Sequence, residues 1–200
     1  MHPDNPQPRL IKQAVEALQA GELLAYPTDS CYAFGCSLLN KKALETIRRL
    51  RGIDERHPLT LLCHSISEVS HYCLLSNEAF RILKQYTPGP YTFILPATTN
   101  VPRPALGLKR KVVGIRIPKN PIANDLLVAF GSPVLSTTLW LAGTESPVSD
   151  PMEIAHKTKG EVDLILDGGV GNDMPSTVVD LVGPKPVIIR RGLGDTTPFE

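Results

Sequence analysis

Cysteine is scarce: Cys31, Cys36, Cys63 and Cys73 are the only four among 200 residues, and no two form a CxxC pair. That scarcity excludes a disulfide scaffold, and the spacing of Cys31 and Cys36 to His64 or His71 matches no zinc pattern, so no metal site is expected. The chain begins without a charged stretch followed by an apolar one, which points to a reduced, cytoplasmic protein. No apolar run reaches the ~18 residues that suggest a membrane span. Charge of one sign is missing as well. The 21 basic and 20 acidic residues leave a formal net charge of +1, without the basic excess of a general nucleic-acid binder. Any RNA contact is therefore expected to be local. Internal repeats, low-complexity tracts and linkers are absent, so one domain over residues 1–200 is expected. A P-loop and a dinucleotide-binding glycine fingerprint are absent too.

What is present is an alternation of strands and helices. PRLIKQAVEALQA (8–20) puts Ile11, Ala14, Val15 and Leu18 on one helical face, and Gly21 stops it. GELLAYP reads as a strand, and NKKALETIRRLRG as a helix capped by Asn40 and stopped by Gly52, with Arg51 at its end. PLTLLCH, YTFILPA, VVGIRIP and PVLSTTLW are further strands. SNEAFRILKQYTPG is a helix ended by Pro88 and Gly89, and Asn120-Pro121 opens another that Gly131 closes. Asp150-Pro151-Met152-Glu153 starts a last helix, followed by VDLILDG, STVVDLV and PVIIRRG. Roughly seven strands and five helices predict an α/β fold with a large, twisted, mostly mixed sheet flanked by helices.

Several strands carry polar groups that a purely structural sheet does not need. In VVGIRIP, alternation sends Val113, Ile115 and Ile117 to one face and Val112, Gly114 and Arg116 to the other. Arg116 then projects beside a glycine, where a ligand has room. Its guanidinium fork suits a carboxylate or phosphate; an ordinary surface ion pair is the alternative. Ser136, Thr137 and Thr138 stand in a row at the end of an apolar strand, able to contact anionic oxygens or to cap a turn. Ser176 and Thr177 start another strand. If Ile188 and Arg190 share a face, only one of Arg190 and Arg191 points with the core. LAYPTDSCYAFG (24–35) turns from an apolar strand to Pro-Thr-Asp-Ser and back to aromatic packing. Pro27 is expected to stop ladder pairing there.

YPTDSCYAFG, PGPYTFIL, VGIRIPKNP, PSTVVDL and VIIRRG, in this order, resemble the YrdC/YciO family over about residues 10 to 195, and most closely its YciO branch. The resemblance implies a YrdC-like α/β sheet with a concave cavity. It also implies an activity like that of threonylcarbamoyl-adenylate synthases. These join L-threonine, bicarbonate and ATP, release pyrophosphate and serve the modification of adenosine 37 of tRNA. Mapped motif by motif, Thr28, Arg116, Thr138 and Ser176 are expected to contact threonine, and Arg51, Ser136 and Arg190 the nucleotide. ATP is the implied substrate, with Mg²⁺ as its usual companion. Double-stranded RNA or tRNA is an implied partner, with Lys109, Arg110 and Lys111 as the candidate contacts.

The chain departs from the synthase pattern at three places. The family's Lys-x-Arg is here Arg51-Gly52-Ile53, the asparagine of its Thr-Ser-Ala-Asn falls on Trp140, and a threonine-contacting histidine of some relatives falls on Leu62, with His64 two residues on. Two functions therefore stand beside the synthase. One is a divergent hydrolase acting on threonylcarbamoyl-adenosine or a related acyl-nucleotide. The other is a non-catalytic RNA-binding module that adds Lys41, Lys42, Arg48, Arg49 and Arg51 to the basic loop.

Overall fold

Residues 1–55, 57–106 and 111–200 are described by the computed structural model. They form the expected α/β architecture around one nine-stranded mixed sheet. The strands are β1 (Leu24–Tyr26), β2 (Ala33–Ser37), β3 (Thr60–Leu62), β4 (Tyr91–Pro96), β5 (Val112–Arg116), β6 (Val134–Thr138), β7 (Leu164–Ile165), β8 (Thr177–Asp180) and β9 (Val187–Arg190). Their spatial order is β7-β1-β2-β6-β3-β5-β4-β8-β9. The pairs β1/β7, β3/β5 and β4/β8 are parallel and the others antiparallel.

The helices are α1 (Pro8–Ala20), α2 (Lys41–Arg51), α3 (Ile66–Tyr72), α4 (Asn77–Tyr86), α5 (Pro121–Phe130) and α6 (Pro151–Thr158). Their ends follow the capping residues. Asn40, Ser76 and Asn120 accept from the backbone N–H three residues on, and Gly21, Gly52 and Gly131 close α1, α2 and α5 in the left-handed conformation. Helix α3 was not expected from the sequence. Ser65 caps it, but it is two turns long and Val69 is its one fully buried residue, which leaves no apolar period to read. Strand β2 was also missed as a strand, because its residues are buried on both faces and do not alternate in polarity. It pairs with β1 through Tyr26↔Ala33, so the polar Pro27–Cys31 segment is the connection of an antiparallel pair.

Asn40 does two jobs. Its Oδ1 accepts from Ala43 N at 3.1 Å, and its Nδ2 donates to the carbonyl of Gly21, tying the start of α2 to the end of α1. Asn40→Ala is expected to lower stability by about 1–2 kcal/mol, read as a lower denaturation midpoint at unchanged m-value. An unaltered midpoint would show that the cap contributes nothing.

The two faces of the sheet are unequal. One is covered along its length: Phe34, Leu61, Phe93, Leu95, Val113, Ile115, Leu135 and Val179 pack with Ala43, Leu44 and Ile47 of α2, Val69, Leu83 and Ile154. The opposite face is covered over only part of its width, where α1 and α5 lay Ile11, Ala14, Leu18, Ile122 and Leu126 on Leu24, Tyr26, Ala33, Leu62 and Val134. Among the described residues, the cluster formed with α1 and α5 takes in no residue of β5, β4, β8 or β9.

Candidate functional site

The uncovered part of the sheet is the floor of a cavity of about 450 Å³. Strand register builds it. Ser136 pairs with Thr60, and Thr60 pairs with Gly114, so these three share one row and face the same side. Gly114 keeps the floor low: a Cβ there would meet Thr60 Oγ1 at 3.0 Å and Thr92 Cγ2 at 3.3 Å. Arg116 lies two residues further along β5 and faces the same way, beside Leu62. The alternation read from VVGIRIP is thus observed, with Val113, Ile115 and Ile117 in the core.

At one end Arg116 is almost wholly buried, with 7% of its surface exposed. Its Nη1 donates to Ser30 Oγ at 2.8 Å and its Nη2 to Thr28 Oγ1 at 3.3 Å and to Asp29 Oδ1. Asp29 is the ion-pair partner of Arg116. The pairing is incomplete, because Asp29 Oδ2 and Arg116 Nε are buried without a hydrogen-bond partner among the described residues. Thr28 donates to the Cys31 carbonyl at 2.7 Å and accepts from Ser30 N at 3.1 Å. Its hydroxyl therefore shapes the bend that presents Arg116.

Arg51 and Arg190 line the same cavity, and Arg190 lies in the field of Arg116 as well as close to Arg51. Arg51, from the C-terminus of α2, donates from Nη1 to Thr137 Oγ1. Burial, reinforced by the Arg190 charge, brings its pKa down to about 10. Arg190 donates from Nε and Nη2 to the Ser176 carbonyl at 3.1 and 2.8 Å, and Ser176 Oγ lies 2.8 Å from Thr92 Oγ1. Arg190 is also held below its ordinary range by burial. Cys31 lines the cavity near both Arg116 and Arg190, yet burial outweighs their charges and pushes its thiol up to about 11. It is a poor nucleophile at neutral pH.

Thr28, Arg116, Thr138, Ser176, Arg51, Ser136 and Arg190, chosen from sequence for two different ligands, all line this one cavity. Lys111 is exposed away from it, and Lys109 and Arg110 lie outside the described residues. Ser136 has its hydroxyl engaged, accepting from Tyr26 OH at 2.7 Å and donating to the Phe34 carbonyl at 3.0 Å. The Tyr26 ring reaches it across Gly35, where a Cβ would come within 2.5 Å of the ring.

Two expectations need correction. Strict alternation in β9 would put Arg190 with Ile188; the register instead pairs Val179 with Ile188 and Val178 with Arg190, leaving Ile189 as a bulged extra residue. Ile189 and Arg190 both line the cavity, while Arg191 is outside with Glu200. Ile53 and Trp140 are not part of the lining: Ile53 packs against the core, and Trp140 Nε1 donates to the Thr144 carbonyl at 3.0 Å. His64 lies beyond β3 and pairs with Glu68. The sequence reading missed His57, Ser30, Thr60 and Thr92. Thr60 and Thr92 had a signal, since each interrupts an apolar strand at the parity of a cavity residue; His57 lies in a loop and had none.

The lining offers guanidinium and hydroxyl groups and no Asp or Glu. Among the described residues no group of three or more His, Cys, Asp or Glu is placed to hold a metal ion. These donors do not fit a chain-held Mg²⁺, which prefers carboxylate oxygens. They fit anions.

The family model described as telomere recombination, Sua5/YciO/YrdC, matches residues 16–192. The chain belongs to this family. Within it, the chain is 51% identical to YciO of Escherichia coli (strain K12) over 199 residues, covering 100% of this chain and 97% of that protein. The crystal structure of E. coli YciO superposes with a TM-score of 0.96 at 50% identity, covering 100% of this chain and 97% of that one. More distant members are threonylcarbamoyl-AMP synthases, among them that of Bacillus subtilis (strain 168). It is 30% identical over 184 residues, 91% of this chain and 53% of that protein. The crystal structure of Pyrococcus abyssi Sua5 complexed with L-threonine matches with a TM-score of 0.86 at 29% identity, over 94% of this chain and 55% of that one. The chain thus spans about half the length of these two synthase relatives. No helix among the described residues is long and apolar enough to cross a membrane.

Proposed function

We propose that the chain is a threonylcarbamoyl-AMP synthase-like enzyme that binds L-threonine at the Arg116 end of the cavity and a nucleotide at the Arg51 and Arg190 end. The observation that carries this reading is one cavity lined by three arginines, with no Asp or Glu among the described residues of its lining. A family member complexed with L-threonine supports the amino-acid half.

In this reading the chain supplies positioning and charge. Arg116, which lines the cavity and carries a guanidinium fork, takes the threonine carboxylate. Arg51 and Arg190 take phosphate oxygens, and the hydroxyls of Thr60, Thr92 and Thr138 line the space between. The carbamate formed from threonine and bicarbonate attacks the α-phosphorus, and pyrophosphate leaves. Orienting the two reactants and offsetting the charge that develops on the leaving group suffice, with no side-chain nucleophile. Any Mg²⁺ would arrive on the nucleotide's phosphates. The proposed role is in tRNA adenosine 37 modification. The basic face of α2 is a weaker candidate for RNA, because Arg51 turns into the cavity and Arg49 pairs with Glu161.

The test is incubation with labelled ATP, L-threonine and bicarbonate, with every nucleotide product identified. Threonylcarbamoyl-AMP and pyrophosphate are the expected products, and L-threonine at a hundredfold excess over its Kd should stabilise the protein by about 2.7 kcal/mol. Absence of pyrophosphate, with a supplied threonylcarbamoyl-nucleotide consumed, would make the chain a hydrolase. No turnover and no thermal shift with threonine or ATP would overturn both.

A further inference from the structure

The loop from α2 to β3 places His57 in the cavity lining, with Nε2 3.5 Å from Arg51 Nη1. A guanidinium can only donate, so a hydrogen bond between the two needs the imidazole tautomer whose Nε2 is unprotonated. Arg51 also keeps Nε buried without a partner among the described residues. Arg190 adds its charge to the same end, and no carboxylate in the lining offsets the two.

We propose that His57 belongs to the anion site and takes up a proton when a dianionic, phosphate-like group settles between it, Arg51 and Arg190. In the free protein, a proton on Nε2 would aim one donor at another. A dianion between them gives both donors an acceptor and offsets the positive charge. Among the described residues, the charged groups that act on His57 are Arg51 from the end of α2, Arg190 from β9 and Asp54 from its own loop. Desolvation, then Arg51 and Arg190, hold its pKa below the ordinary value, while Asp54 acts the other way. Neutralising the two arginines raises that pKa, and by linkage the anion binds more tightly as pH falls through it. The inference rests on the reading of Arg51 and Arg190 as the phosphate end.

Inorganic sulfate is the probe, because it stays a dianion across the working range and leaves all pH dependence to the protein. In NMR titrations of the ring, saturating sulfate is expected to raise the His57 pKa by about half to one unit. Sulfate should then bind about threefold to tenfold more tightly at about pH 5.5 than at about pH 8.5. His57→Gln, which cannot titrate, should bind with nearly constant affinity. Sulfate binding with an unmoved His57 titration, or with the same pH dependence in H57Q, overturns the proton uptake while the anion site stands. Affinity unchanged in Arg190→Gln places the ion elsewhere and overturns the proposal. Failure of the wild-type chain to bind both sulfate and pyrophosphate at either pH overturns the phosphate end itself, and the proposal with it.

Discussion

Arg116→Ala is expected to cost about 3 kcal/mol of folding stability and to weaken threonine binding strongly. The loss comes from what is left behind. Arg116 donates to Ser30, Thr28 and Asp29, and Asp29 already has one buried oxygen without a partner. Without the guanidinium, the carboxylate is an uncompensated charge beneath a cavity. Breaking a buried pair costs roughly 3–5 kcal/mol, and access of water from the cavity puts this case at the lower end. Threonine affinity should fall at least about thirtyfold, the loss of ~2 kcal/mol from a charge-assisted bond to its carboxylate. Arg116→Lys should keep most of the stability and little of the affinity, because an ammonium cannot reproduce the fork. Asp29→Asn with Arg116→Met removes both charges and should recover much of the stability without restoring binding, which separates the two roles. Denaturant titration and calorimetry measure them. Wild-type stability in R116A would show that Asp29 is not held by this pair.

Gly192→Ala is the second large effect. A Cβ at Gly192 would stand 2.3 Å from the Pro175 carbonyl oxygen and 2.5 Å from the carbonyl carbon of Ser176. Both are backbone atoms, so no side-chain rotation relieves the overlap. The chain must separate here, where Gly192 N donates to Thr177 Oγ1 at 3.0 Å and Arg190 forks the Ser176 carbonyl. Overpacking of this kind costs about 1–3 kcal/mol, and contact with backbone puts it at or above the upper figure. Anion affinity should drop as well, since the anchor of Arg190 moves. Gly183→Ala is the control: its Cβ would meet only Lys185 O, at 3.8 Å, so its midpoint should stay within about 0.5 kcal/mol of wild type. Equal midpoints for the two variants would show that the Gly192 approach is not tight.

Much of this architecture was legible because single residues carried unambiguous physics. Asn40, Asn120, Gly21, Gly52 and Gly131 mark helix ends through donors and backbone angles that few other residues satisfy. Arg116 was readable from alternation, since its strand has one polar side chain and a glycine on the same parity. What stayed hidden depends on partners distant in sequence. Nothing in TDSCY says that Asp29 meets Arg116, 87 residues away. Nor does Ile53 announce that it packs on the core, or Trp140 that its indole closes a turn, so a motif comparison assigned both to a site they do not line. His57 was invisible because loops carry no period, and its place on the cavity wall follows from where α2 ends and β3 begins.

The surplus residue in β9 reaches beyond the cavity. Strand β9 is the last strand on its side of the sheet, with Val187 and Ile189 exposed. A regular outer strand with two exposed aliphatic side chains would be a template for pairing with another chain. Because Ile189 and Arg190 both stand against Val178, the spacing of outward-facing N–H and C=O groups is broken midway along four residues. An incoming strand finds no continuous ladder to extend. The irregularity that turns Arg190 toward the cavity thus also discourages edge-to-edge pairing, so the shape of the cavity and the protection of the sheet edge hang on the same residue.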